Sequence, residues 1–88
     1  MKLRGEFIVR RLADDIVAIP VGQTALDFNG MILLNEVSKV IWDCLSNAAS
    51  LEQIVAAVTE AFDVSAREAE ADILECLSRL RETGLLEE

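Results

Sequence analysis

Two segments of this chain announce where helices begin. Ser50-x-x-Gln53 and Ser65-x-x-Glu68 each stand directly before a run of apolar residues at helical spacing. In such a capping box, a serine side chain and the side chain three residues on satisfy backbone amides that a helix leaves open at its start. The first box predicts a helix that buries Leu51, Ile54, Val55, Val58 and Phe62. The second predicts one that buries Ala66, Ala69, Ile73, Cys76, Leu77 and Leu80 and stops at Thr83-Gly84, with Leu85 and Leu86 folding back. Upstream, Asn35 is placed to cap a helix with the stripe Val37, Val40, Ile41, Cys44 and Leu45. Three consecutive helices therefore fill the second part of the chain.

Before Leu34 the apolar period is two rather than 3.6. Phe7, Ile8, Val9 and Leu12, then Ile16, Val17, Ile19 and Val21, are rich in β-branched and aromatic types around a turn at Asp14-Asp15, which predicts a hairpin. Pro20 lacks an amide to donate, so it belongs at a strand end or edge. Ala25 to Phe28 and Met31 to Leu34 flank Asn29-Gly30, the dipeptide suited to a two-residue turn. They predict a second hairpin, or a kinked strand meeting the first sheet. The fold class is α+β: a small antiparallel sheet of three strands, with Ala25 to Phe28 as candidate fourth, followed by three helices. With 88 residues, 52% of them hydrophobic, the chain supports one core and one domain, residues 1–88.

Charge and composition narrow the function. The formal charge is −8, while Lys2, Arg4, Arg10 and Arg11 crowd into the first eleven residues against Glu6, so the remainder is strongly acidic. A general nucleic-acid binder needs a basic face and is disfavoured. There is no histidine and no tyrosine, which removes the commonest general base and the commonest metal ligand. Cys44 and Cys76 fall on apolar stripes, away from the helix starts and cations that lower a thiol's pKa, and read as small core residues. Glu68, Glu75 and Glu82 share one side of the last helix, but Arg79 among them makes an ordinary solvated face rather than a cation site. No glycine-rich phosphate loop is present. No catalytic, cofactor or metal site is expected. The unpaired cysteines, the lack of a signal-like start and the absence of a long apolar run predict a soluble, cytoplasmic protein with no membrane contact.

Two features exceed what a core requires. Met31-Ile32-Leu33-Leu34 is apolar at four successive positions, although a sheet with one solvated face should alternate. On a helical projection Leu74 lies off the apolar stripe, flanked by Arg67, Ser78 and Arg81. A strand edge with a partly apolar helix wall suits β-augmentation, in which an extended peptide adds a strand.

The run Phe28-Asn29-Gly30-Met31-Ile32-Leu33-Leu34-Asn35-Glu36, then Ile41-Trp42-Asp43-Cys44-Leu45, Phe62-Asp63-Val64 and Leu77-x-x-Leu80-x-x-x-Gly84-Leu85-Leu86, resembles the PqqD-like family over nearly the whole chain. Members are recognition elements for ribosomally made, post-translationally modified peptides. They bind the leader of a precursor peptide and present it to a tailoring enzyme, frequently a radical SAM protein. The resemblance implies a winged helix-turn-helix-like fold with the leader added as a strand between the third strand and the third helix. Carried over, the peptide-binding residues are Met31, Ile32, Leu33 and Leu34 on the strand and Arg67, Leu74, Ser78 and Arg81 on the helix. Arg67 and Arg81 would then attract acidic leader residues. The stretch Gly22 to Phe28 is longer than in the shortest members, and if Ala25 to Phe28 paired with Met31 to Leu34 it would occupy the leader's edge. Two alternatives are a winged-helix transcription regulator and an adaptor or dimerisation domain. The first needs a basic recognition helix, whereas residues 65–82 hold three arginines against five acids. The second pairs Met31 to Leu34 with its own copy, so monomer and homodimer are both open.

Overall fold

A computed structural model describes residues 1–88 throughout. In chain order the elements are β1 (Lys2–Leu3), β2 (Phe7–Leu12), β3 (Asp15–Pro20), α1 (Gln23–Asp27), β4 (Ile32–Leu34), α2 (Glu36–Ser46), α3 (Leu51–Ala61), α4 (Ala66–Glu82) and β5 (Leu86–Glu87). The α+β class and the order of a small antiparallel sheet before three main helices follow the sequence expectation.

The expected hairpin is β2 and β3, in register from Phe7 opposite Pro20 to Leu12 opposite Asp15. Its turn falls one residue earlier than expected, on Ala13-Asp14, with Ala13 at φ 54°. Pro20 closes the strand, as its missing amide requires, and the next amide, Val21, donates to the Glu6 carbonyl at 3.0 Å. On its other side β3 pairs antiparallel with β4, Ile16 opposite Leu34 and Ala18 opposite Ile32. The sheet order is β2-β3-β4, which buries Ile16, Val17 and Ala18 at the centre.

The second hairpin does not form. Residues 23–27 coil into α1, a five-residue helix with no side-chain cap and no buried residue. Leu26 on it is 80% exposed. Gly30 does take positive φ, at 117°, but it turns the chain from a helix into β4 rather than between two strands. A feature without any sequence signal is the pairing of β1 with β5, Leu3 opposite Leu86, which ties the two ends of the chain together.

The helices begin where the caps place them. Ser38 donates its amide to Asn35 Oδ1 at 2.8 Å, and the Asn35 amide returns a bond to Ser38 Oγ at 2.7 Å. Ser50 and Gln53 form the full reciprocal box. At Ser65 only half the box exists: the Glu68 amide donates to Ser65 Oγ at 3.1 Å, while the Glu68 carboxylate accepts from that hydroxyl instead of from the backbone. Helix α4 ends in a Schellman turn, the Leu85 amide donating to the Leu80 carbonyl at 2.9 Å and Gly84 to Arg81 at 3.1 Å, with Gly84 at φ 77°. That turn sends Leu85 and Leu86 back into the core.

The core is one cluster of 15 buried residues. Ile41, Trp42 and Leu45 come from α2, Ile54 and Val58 from α3, and Ala69, Ile73, Leu77 and Leu80 from α4. Ala66, expected inside, is exposed in the first turn of α4. Trp42, outside the expected stripe, is drawn in by the sheet, where its ring meets Phe7 edge-on with centroids 5.2 Å apart. A cap is worth about 1 kcal/mol and a fully buried aliphatic side chain about 1.5–3 kcal/mol. Capping thus sets where the helices start, and packing holds them. No helix is long and apolar enough to cross a membrane.

Candidate functional site

The three-stranded sheet stops at β4, so one long side of that strand has no strand partner. Because 23–27 are helical, the segment that threatened to fill this edge leaves it open. Along β4 the four-residue apolar run resolves into alternation: Leu34 is buried, Ile32 is half-buried, and Leu33 points the other way and is 70% exposed. Met31 precedes the strand and is 61% exposed.

Between β4 and α4 runs a groove of about 340 Å³. Ile32, Leu33 and Leu34 form its strand side, and Asn35, Val37, Ser38, Ile41 and Trp42 its floor and end. Its opposite wall is Asp72, Glu75, Cys76, Arg79 and Leu80. The spacing from 72 through 75 and 76 to 79 is one helical face. Most of the lining is hydrocarbon, and the charged groups belong to the helix wall. Arg79 donates to Glu75 Oε1 at 2.7 Å, the pairing expected for this helix, but on the rim of the groove. A second hollow, of about 600 Å³, lies beside Lys2, Phe7 and Ser46; the only strand it borders besides the start of β2 is the two-residue β1.

Of the expected site residues, the structure brings Ile32, Leu33 and Leu34 into the groove. Arg67, Leu74, Ser78 and Arg81 are not in its lining. On a helix of 3.6 residues per turn these four lie roughly 150° around α4 from the 72–79 face, on the opposite flank of the core stripe. Leu74 is 48% exposed there. Arg81 turns to the carboxyl end, where it donates to Glu88 at 2.9 Å; the bond holds the Glu88 carboxyl below its ordinary range and raises the guanidinium further. The groove in this structure is therefore walled by the 72–79 face of α4 rather than by the face that carries Arg67, Leu74, Ser78 and Arg81. The spacing of 72, 75, 76 and 79 was visible in the sequence, but an apolar stripe has two flanks, and only tertiary packing selects the one beside β4.

The groove does not have the chemistry of a nucleophile. Burial pushes the Cys76 thiol up, Arg79 only partly opposing it. Burial, helped by Asp43, does the same to Cys44. A thiol so placed stays protonated near neutrality. Nowhere do three His, Cys, Asp or Glu side chains gather in a way that would hold a metal ion. What the site offers is an unpaired strand edge, a largely apolar floor and a charged rim, a geometry suited to holding an extended chain.

Fold and groove together define a winged-helix-like domain in which the open edge of β4 borders the groove. The family model described as Coenzyme PQQ synthesis protein D (PqqD) matches residues 17–86, and the chain belongs to the PqqD family. No curated protein gives a significant match. A solved structure described as "TbiB1 in Complex with the TbiA(beta) Leader Peptide" is similar over 99% of this chain and 95% of the other, at 24% identity and a TM-score of 0.73. At that identity the likeness establishes the fold.

Proposed function

We propose that this protein is a non-catalytic peptide-binding partner, which takes up the leader of a ribosomally synthesised precursor by strand addition and presents it to a modifying enzyme. The observation that carries this reading is the free β4 edge beside a largely apolar groove whose far wall is α4. Family membership supports it, as does the structural similarity to a protein captured with a leader peptide.

Main-chain pairing along β4 supplies affinity that tolerates many sequences, and the groove selects the side chains that face it. Catalysis belongs to the partner, for which a radical SAM enzyme is the candidate. Tethering raises the substrate's effective concentration at that enzyme. The whole chain acts as one domain in the cytoplasm, where Cys44 and Cys76 stay as the free thiols they are here. The protein works as a monomer, because a homodimer paired through β4 would close the same edge. Its net charge of −8 also opposes self-association.

Calorimetric titration with the synthetic leader of a short reading frame adjacent to this gene tests the proposal. Saturable 1:1 binding by the leader but not by a scrambled peptide is expected. Equal binding of both, or a concentration-dependent dimer in light scattering that peptide does not dissociate, would refute it.

A further inference from the structure

Three charged side chains line the groove, and two of them neutralise each other. Arg79 is committed to Glu75 at 2.7 Å. Asp72 has neither an ion pair nor a side-chain hydrogen bond in the structure, and the groove residues opposite it on β4 and α2 carry no cation. An empty groove leaves its carboxylate in water. A peptide laid over Ile41 and Trp42 displaces that water, and a carboxylate losing hydration without a partner is costly. A neutral or acidic peptide would incur that cost; a cation would remove it. The chain's −8 charge adds a long-range attraction of the same sign.

We infer that the peptide held in this groove carries a lysine or arginine that pairs with Asp72, next in register to an apolar side chain entering beside Cys76. The inference rests on the strand-addition reading above and specifies its ligand. It reverses the expectation that Arg67 and Arg81 attract acidic leader residues: neither lines the groove, and Arg81 is bound to Glu88. For a peptide that runs along α4, the register follows from the spacing of the two elements. Asp72 and Cys76 are one turn apart on α4, about 6 Å along the axis. Same-face neighbours on an extended strand are about 6.7 Å apart. The cation and the apolar anchor are therefore two residues apart in the peptide, both on the side facing α4, with the residue between them facing out beside Leu33.

A displayed library of random linear peptides, selected separately on the wild-type protein, Asp72→Asn and Asp72→Lys, tests this. Asp72 lies on the surface of α4, and thermal melting confirms that the variants remain folded. Wild type should enrich Lys or Arg two positions from an apolar residue. Asp72→Asn should lose the enrichment, and Asp72→Lys should replace it with Asp or Glu. A basic peptide selected on wild type should bind Asp72→Asn about 1.4- to 5-fold more weakly, the range for an exposed ion pair, with the gap closing in 1 M salt. Peptides that shift the β4 amides yet show no basic bias, or the same bias on Asp72→Lys, would overturn the inference while leaving strand addition standing. Selection of no peptide that shifts those amides would overturn both.

Discussion

Replacing Leu33 and Leu34 separately by alanine makes the same chemical change at adjacent positions on opposite faces of β4. Leu34 is 8% exposed and packs in the core cluster beside Ile16. Truncating a buried leucine costs the lost transfer energy plus a residual cavity, here about 3–4 kcal/mol. Leu33 is 70% exposed, so folding covers about 30% of a side chain worth about 1.5–3 kcal/mol when fully buried. Its loss should cost about 0.5–0.9 kcal/mol. Urea denaturation followed by the fluorescence of Trp42, the one tryptophan, reads both. Against a total of about 5–13 kcal/mol for a domain of this size, Leu34→Ala should be marginal and Leu33→Ala close to wild type. Equal losses at the two positions would mean that β4 is one residue out of register or that its outer face is covered, and the reasoning would fail. Leu33→Ala should still weaken leader binding about two- to fivefold, the worth of one cross-strand pair.

Three further outcomes are expected. Gly84→Ala meets no atom within 4 Å but forces a side chain to φ 77°, so it should cost about 1–2 kcal/mol in urea denaturation; no change would mean the Schellman turn does not set the end of α4. Both cysteines should alkylate more slowly than a free thiol at pH 7.5, because burial raises both, and saturating leader should protect Cys76 but not Cys44 from labelling read by mass spectrometry. The Glu36 carboxyl is held below its ordinary 4.5, first by the hydrogen bond from Arg11. A depressed folded value contributes stability that is present above the unfolded value and lost as pH falls through the folded one. Arg11→Met should therefore lower stability at pH 6 slightly and flatten its decline below about pH 4.5 in acid titrations; an unchanged pH profile would show that the pair does not form in solution.

How much of this was legible in the sequence depended on whether the signal was local. Asn35, Ser50 and Ser65 marked the helix starts because a cap is decided within four residues. The Phe7–Val21 hairpin was legible from β-branched content. Residues 25–28 misled because Asn29-Gly30 is a strong hairpin signal, and because α1 is too short to show a helical period. What holds that segment is non-local: the Glu6 amide donates to Thr24 Oγ1 at 2.8 Å, and Gly5 sits so close to Thr24 that a Cβ there would come within 2.9 Å. β1 and β5 are two residues each and pair across the length of the chain, leaving no periodicity to read. The strand side of the groove was visible as an unexplained apolar run. Its helix wall was not, since the projection of α4 shows a stripe with two flanks and contains nothing about which of them borders the sheet.

The most direct measurement is amide exchange and chemical shift by NMR on isotope-labelled protein as its leader peptide is added. The Ile32–Leu34 amides that face away from β3 should gain protection, with shifts concentrated along Asp72 to Arg79. Saturable binding that leaves these amides unprotected, or whose shifts centre on Arg67, Leu74, Ser78 and Arg81, would contradict strand addition in this groove.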